Sequence, residues 1–387
     1  MKYENLINPT VAQLKKSGIR KFFDILGSVE GVVSLTVGQP DFETPWHIRK
    51  KGIESIEDGK TYYTSNAGLP ALRKAIATYL SRRFQLEYDP VSEIFVTVGG
   101  SEGIDIAIRT IVSPGDEVII PEPCYVCYEP MVKMSGGIPV IINTKAENNF
   151  KLTAEELKNS ISSKTKLLIL AYPNNPTGAI MTEDDLNPIA AVLRDKEIAV
   201  LSDEIYAELT YGRRHFSIAL LPGMRERTII ASGFSKAYAM TGWRLGYICA
   251  PEPIMSQMLK IHQYAIMCAS TASQFAGIEA ANAGDDDIEY MTEQYNFRRR
   301  YIRQGLSDLG IYSFEPEGAF YIYPDIKKFG LSSDDFCNRL LYDFKCAIVP
   351  GTAFGNAGEG FARLSYAYSI EHIDKALDRI GQFVSTL

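Results

Sequence analysis

The stretch TIIASGFSKAYAMTGWRLGYICA, residues 228–250, joins two apolar runs through a segment that carries Lys236 and Arg244. Residues 228–234 and 244–250 have the length and the apolar character of buried strands. The lysine between them is either a solvated loop residue or a reactive amine. Because the chain contains 40 Lys and Arg residues, a solvated lysine is the default interpretation. Only partners elsewhere in the chain can reverse it.

Five more apolar runs precede this stretch, separated by segments with helical spacing. They are EIFVTVGG (93–100), DEVIIPEP (116–123), IPVIINT (138–144), KLLILAYP (166–173) and AVLSDEIYAEL (199–209). Continuous Val, Ile and Leu runs that alternate with helices are typical of a mostly parallel α/β sheet covered on both faces. The sequence therefore predicts an α/β fold with about seven strands. In such a sheet, ligands bind beyond the carboxyl ends of the strands.

The last hundred or so residues have a different pattern, in which long charged helical stretches alternate with short strand-like runs such as GAFYIYPDI. This pattern indicates a second, smaller α+β domain. Residues 1–45 are too short to fold alone, so we expect them to pack with it. The predicted division is a large domain at 46–279 and a small domain formed by 1–45 and 280–387.

Composition limits the class of protein. The 387 residues include 46% hydrophobic and 22% charged residues, which is typical of a globular chain, and the net charge is −7. An acidic balance argues against a general nucleic-acid or membrane-surface binder. The sequence has no apolar run of the roughly 18 residues that span a bilayer, and its N-terminus lacks the apolar core of a signal peptide. We therefore expect a cytoplasmic protein that binds neither nucleic acid nor membrane.

Six cysteines in a chain of this length do not indicate a disulfide scaffold. Cys124 and Cys127 form a CxxC, which is found in redox sites and in zinc sites. A second CxxC is absent from the sequence, and the four histidines are scattered. We interpret the CxxC as a packing feature and expect no metal site.

The predicted strand ends carry polar and aromatic residues. Gly99 and Gly100 follow the first strand of the sheet and precede a helix, and free N–H groups there would form a phosphate cradle. Tyr125 follows the second strand, where its ring could cover a flat ligand. Each feature alone has an ordinary structural explanation, as a tight turn or a packed loop tyrosine.

Three further strand ends complete the set. Asn175 lies in YPNNPTG after the fourth strand, Asp203 and Tyr206 follow the fifth, and Lys236 follows the sixth. A cradle, a ring platform, a carboxylate and a lysine at one edge would suit a flat, phosphorylated aldehyde whose ring nitrogen needs a counter-charge. Pyridoxal phosphate has this chemistry, and a lysine and an aspartate are its usual protein partners.

With these motifs, the sequence resembles the class I/II aminotransferases, the fold-type-I pyridoxal-phosphate enzymes, over nearly its whole length. The motifs occur in the family's order: VSLTVGQPDFETP, YYTSNAGLPALR, YPNNPTG, LSDEIYAEL, SGFSKAYAMTGWRLGY, PEGAFYIYP and GFARLSYA. The stretches SGIRKF and SLTVGQPDF are most similar to firmicute N-acetyl-diaminopimelate and aromatic-amino-acid aminotransferases.

The resemblance implies a role for each matched residue. Lys236 would bind the cofactor aldehyde, Asp203 would pair with the ring nitrogen, Tyr206 and Asn175 would bond the 3-oxygen, and Tyr125 would stack on the ring. The phosphate would be held by the backbone around Ser101 and Glu102, with Ser235 and Arg244. Tyr63 would reach the phosphate of a second subunit, which implies a homodimer with shared sites. Arg363 would bind the substrate α-carboxylate, helped by Gly38 and Asn175.

One position departs from the family pattern. Many relatives have a hydroxyl residue three positions before the lysine, and here that position is Gly233. Ser232 or Ser235 is expected to supply the hydroxyl instead.

The resemblance also implies a reaction, in which an L-amino acid gives its amino group to a 2-oxo acid, with 2-oxoglutarate as the expected acceptor. A carbon–sulfur β-lyase on the same fold would share nearly all cofactor residues. A cofactor-sensing transcription regulator would need a DNA-binding domain before the motif that begins at Ser34, where little chain precedes it. A nicotinamide enzyme would need a glycine fingerprint that the sequence lacks.

The amino donor is the open question. An aromatic amino acid and N-acetyl-diaminopimelate are the two candidates that the resemblance favours. Ile19, Phe22 and Tyr264 are candidates to cover the substrate side chain.

Overall fold

The computed structural model of the protein describes residues 3–15, 18 and 29–387. Its strands β1 to β12 span Val33–Ser34, Ile94–Thr97, Glu117–Glu122, Ile138–Asn143, Thr165–Ala171, Ala199–Asp203, Thr228–Gly233, Gly246–Cys249, Tyr321–Ile322, Cys346–Ala347, Val349–Pro350 and Ala362–Ser365. Its α-helices α1 to α13 span Pro9–Gln13, Trp46–Glu57, Pro70–Phe84, Gly100–Ile111, Tyr128–Met134, Ala154–Ser160, Glu183–Leu193, Phe234–Ala237, Glu252–Ala265, Thr271–Ala283, Asp285–Asp308, Ser333–Phe344 and Ile370–Val384. Within these residues, no helix is both long enough and apolar enough to cross a membrane.

Seven strands form the main sheet in the order β2-β8-β7-β6-β5-β3-β4. Strand β8 runs antiparallel to both of its neighbours, and the other pairs are parallel. The α/β prediction of a mostly parallel seven-stranded sheet is thus confirmed, and each apolar run corresponds to one strand. The run 199–209 is shorter than expected as a strand, because β6 ends at Asp203 and the chain then turns.

The alternation of side chains along β7 explains why its sequence is apolar throughout. Ile229 and Ala231 pack into the core on one face of the sheet, with helix α4, while Ile230 packs into the core on the other face, with α3 and α10. Both faces are covered, so every residue of the strand is buried. Lys236 therefore lies shortly after a strand that is packed on both faces and held rigidly.

A second, smaller group of strands contains residues from both ends of the chain. Strands β11, β12 and β9 form an antiparallel sheet in that order, and β1 pairs in parallel with β10, with Val33 opposite Cys346. One apolar core joins β1, β9, β10 and β12 to helices α11, α12 and α13. The boundaries 45/46 and 279/280 between two domains stay a prediction.

Candidate active site

A cavity of about 360 Å³ lies at the carboxyl ends of the parallel strands. Ten residues that the sequence predicted for the site line it: Gly38, Ser101, Tyr125, Asn175, Asp203, Tyr206, Ser235, Lys236, Arg244 and Arg363. They come from the ends of five strands of the main sheet and the segments that follow them, from the segment after β1 and from β12. The cavity therefore brings together residues that lie far apart in the sequence, from Gly38 to Arg363.

Lys236 lies on the one-turn helix α8, directly after β7. Its Nζ atom donates a hydrogen bond of 2.6 Å to the carbonyl of Gly38. Burial lowers the pKa of Lys236 to about 8, and the charges of Arg363 and Arg244 act in the same direction. Asp203 opposes this shift. Near neutral pH a useful fraction of the amine is therefore uncharged and nucleophilic.

Asp203 is the last residue of β6 and is buried. Its Oδ2 accepts a hydrogen bond of 2.7 Å from the Tyr128 hydroxyl, and its Oδ1 accepts one of 3.2 Å from the N–H of Ile205. Burial raises the pKa of Asp203, and these two hydrogen bonds oppose the rise. No ion pair to Asp203 is found in the described residues, so the carboxylate fits a ligand that brings a cationic nitrogen.

The turn between β2 and helix α4 has the shape of an anion cradle. Gly99 has φ +75°, and a Cβ atom at this position would lie 2.6 Å from Nη2 of Arg244. Only glycine allows the guanidinium to approach the backbone this closely. The helix begins at Gly100 with no capping side chain, so its first N–H groups stay available beside Arg244, Ser101 and Ser235.

Arg363 lies in β12 at the other end of the cavity and is only 2% exposed. Its Nη1 donates to Oδ1 of Asn175 at 3.0 Å, and its Nη2 donates to the carbonyl of Thr36. Its Nε has no partner among the described residues. The rings of Tyr321 and Phe354 lie 4.6 Å and 4.8 Å from the guanidinium carbon. A buried guanidinium that is held in place, with no counter-ion in the part of the chain that the structure describes, suits a small carboxylate.

Besides those of Glu102 and Ser232, four predicted side chains lie outside the cavity lining of this single chain or outside the described residues. Tyr63 is 77% exposed and Tyr264 is 89% exposed, and neither lines the cavity. Ile19 and Phe22 lie outside the described residues. The roles assigned to these four residues stay predictions.

The side chain of Glu102 makes contacts that the sequence did not predict. The carboxylate turns away from the cavity, accepting the N–H of Val98 and contacting His262 Nδ1 at 2.5 Å. The residue does not line the cavity, so only its backbone N–H could serve a phosphate. The sequence could not indicate this orientation, because His262 follows 160 residues later.

The departure at Gly233 has a steric cause. A Cβ atom there would lie 2.8 Å from the Cα of Gly246 on the neighbouring strand, so no side chain fits. Of the two serines that the sequence offered, Ser235 lines the cavity. Ser232 instead donates to the carbonyl of Glu204 at 3.2 Å.

Two lining tyrosines were not singled out from the sequence. Tyr128 bonds Asp203, and the Tyr321 hydroxyl lies 2.8 Å from the Tyr206 hydroxyl. Tyr128 lies three residues after Tyr125, at the start of α5, so a helical turn would have placed it near the same ligand. Tyr321 comes from β9 of the smaller sheet, so a search of the strand ends of the main sheet could not find it.

The CxxC lies beside this site. Cys124 is buried and Cys127 is half-buried, and both pack with Tyr128 in one apolar core. Burial raises the pKa of both thiols, which disfavours the thiolate.

Comparison with known proteins gives a consistent family. The family model "Aminotransferase class I and II" matches residues 30–380. A Bacillus subtilis (strain 168) protein named "Putative aminotransferase YugH" is 51% identical, and the alignment covers 97% of each chain. A B. subtilis protein named "Probable N-acetyl-LL-diaminopimelate aminotransferase" is 46% identical, over 98% of this chain and 96% of that one.

Solved structures agree with the sequence comparison. The crystal structure of the aromatic aminotransferase from Pyrococcus horikoshii OT3 superposes with a TM-score of 0.90 at 40% identity. The match covers 94% of this chain and 99% of that one. The chain therefore belongs to the class I and II aminotransferases.

Proposed function

We propose that this aminotransferase holds pyridoxal phosphate in the cavity and transfers the amino group of an L-amino acid to a 2-oxo acid. The observation that carries the proposal is the position of Lys236. Its buried amine, with a pKa lowered to about 8, lies in one cavity with the buried carboxylate of Asp203 and the buried guanidinium of Arg363. A reagent amine, a counter-charge and a carboxylate receptor are the three groups that the reaction needs.

The residues of the cavity fit this cofactor. Arg244, Ser235 and the N–H groups at Gly100 and Ser101 would hold its phosphate, while Asp203 would pair with its ring nitrogen. Tyr125, Tyr206 and Asn175 would fix the ring and its 3-oxygen. When bound, pyridoxal phosphate supplies an aldehyde that condenses with amines and a ring that accepts electrons from Cα.

Lys236 would act as the base of the reaction. Its uncharged amine would take the proton from the substrate Cα and hold it on Nζ for return to the substrate. A pKa near 8 suits both directions of this transfer. The hydrogen bond to the Gly38 carbonyl shows that the chain already offers the amine an acceptor on the Arg363 side of the cavity.

Arg363 would orient the substrate through its α-carboxylate. Asn175 and Thr36 hold two of its nitrogens, so little side-chain freedom is lost when a carboxylate binds. The planar fork would bind both carboxylate oxygens, which fixes the Cα–H bond relative to Lys236.

We further propose that the amino donor is an aromatic amino acid or N-acetyl-diaminopimelate, that the acceptor is 2-oxoglutarate, and that the protein works as a homodimer. The names of the relatives support the donor classes. The strong exposure of Tyr63 and of the neighbouring Tyr62 supports a subunit contact at this segment.

A donor screen with 2-oxoglutarate tests the proposal. We expect glutamate to form from one of the two donor classes, and we expect Lys236→Ala to abolish it while Lys133→Ala, at an exposed lysine of α5, has no effect. Pyruvate release from cysteine or cystathionine without an oxo acid would instead indicate a β-lyase. Normal transamination by Lys236→Ala would contradict the proposal.

A further inference from the structure

The pair formed by Glu102 and His262 is a largely buried polar contact at the first turn of α4 that the proposed reaction leaves unused. His262 is fully buried on helix α9, and its Nδ1 lies 2.5 Å from Oε1 of Glu102. Its other ring nitrogen has no hydrogen-bond partner within the described chain. Glu102 is therefore the only polar group that holds this ring among those residues, and such a contact in the interior is expensive to lose.

The second oxygen of Glu102 reaches back to the turn that precedes its own helix. It accepts the N–H of Val98, the residue before Gly99. A glutamate in the first turn of a helix commonly accepts an N–H of the capping residue. Here the bond falls one residue earlier, so it fixes the turn and leaves the N–H groups of Gly100 and Ser101 free to face the cavity.

The histidine is itself held in place. Its backbone carbonyl accepts the N–H groups of both Ile266 and Met267, which closes the end of α9, and its ring lies 5.2 Å from the ring of Phe95 on β2. The contact with His262 therefore holds the carboxylate of Glu102 in one orientation. Without that partner, its carboxylate could rotate toward the free N–H groups of the cradle and compete with a phosphate.

We propose that Glu102 and His262 form a positioning pair that shapes the phosphate cradle while keeping the glutamate carboxylate out of it. This inference rests on the proposed function, because it takes the cradle to bind the cofactor phosphate. Neither residue touches the phosphate through its side chain.

The test compares two ligands that differ only in the phosphate. Full-length protein is stripped of cofactor, and the dissociation constants of pyridoxal phosphate and of pyridoxal are measured by absorbance or fluorescence. For Glu102→Ala we expect binding of pyridoxal phosphate to weaken about tenfold, with pyridoxal little changed. Glu102→Gln, whose amide can accept from Val98 and donate to His262, should stay within about threefold of wild type.

Variants of the histidine give an independent measurement. His262→Asn keeps an amide nitrogen near the position of Nδ1 and should retain the preference for the phosphorylated ligand, whereas His262→Leu should lose much of it. Asp105→Ala is the matched control, because this carboxylate lies one turn further along α4 and pairs with Arg109 instead. It should bind both ligands as wild type does.

The outcomes separate the two proposals. If wild type binds pyridoxal phosphate no better than pyridoxal, the proposed cofactor site itself is wrong. If wild type shows the preference and Glu102→Ala and His262→Leu keep it, only the positioning role is wrong. Equal weakening of both ligands, or an equal loss in Glu102→Gln and Glu102→Ala, would also overturn that role.

Discussion

The hydroxyl of Tyr128 donates a hydrogen bond of 2.7 Å to Oδ2 of Asp203, and both buried residues line the cavity. Burial alone raises the pKa of Asp203, while the Tyr128 hydroxyl stabilises its charged form. The tyrosine therefore favours the charged form of the carboxylate at the place where a cationic ring nitrogen would need it.

Replacing this tyrosine should move the pH dependence of the reaction. In Tyr128→Phe the anion of Asp203 loses a donor, so its pKa rises and activity should fail at a higher pH on the acidic side. We expect kcat to fall by roughly three- to tenfold. Tyr79→Phe, which removes a phenol that donates to Glu208 away from the cavity, is the control. An unchanged pH profile in Tyr128→Phe would contradict the role.

Arg363→Lys should impair substrate binding while leaving the cofactor in place. A lysine cannot form the two-pronged contact with a carboxylate, so we expect kcat/KM to fall about a hundredfold, mainly through KM for both the amino and the oxo acid. The buried Arg299 pairs with Glu315 outside the cavity, and Arg299→Lys should change stability but not KM. Loss of the cofactor from Arg363→Lys would count against a substrate role.

Gly99→Ala should weaken cofactor binding more than its backbone strain explains. The positive φ alone should cost about 1–3 kcal/mol of stability. Gly115 also has a positive φ, but a Cβ atom there would meet no neighbour. Gly115→Ala should therefore show a similar loss of stability with unchanged binding of pyridoxal phosphate. Equal affinities in the two variants would show that the approach of Arg244 to Gly99 does not matter for the phosphate.

Glu122 should make stability depend on pH. Burial raises its pKa to about 7 in the folded chain, whereas an unfolded glutamate titrates near about 4.3. Between these two pKa values the folded state holds a proton that the unfolded state has lost. The free energy of unfolding should therefore fall as the pH rises from about 5 to about 7. Glu122→Gln removes the charge, so its Tm should exceed that of wild type by about 2–4 °C at pH 8.

The same comparison at pH 5 supplies the control for Glu122. The advantage of Glu122→Gln should nearly vanish there, because the wild-type carboxyl is then protonated in the folded state. A constant difference in Tm across this pH range would contradict a raised pKa of Glu122.

The sequence predicted the main sheet well because each strand is covered on both faces, which leaves an unbroken apolar run. It also predicted most of the cavity, since Asp203 ends a strand and Lys236 lies shortly after one. Tyr321 was not predicted because it comes from a short strand of the smaller sheet. The orientation of the Glu102 carboxylate was not predicted because it depends on His262, which lies 160 positions away. Contacts of that kind follow from packing, which local sequence patterns do not record.

The central claim is that Lys236 is the amine that holds the cofactor. Reduction of the yellow holoprotein with borohydride, followed by peptide mapping with mass spectrometry, tests it directly. We expect the absorbance of the bound cofactor to be lost on reduction. We also expect one pyridoxyl phosphate adduct per chain, on Lys236. An adduct on any other lysine, or cofactor released without an adduct, would contradict it.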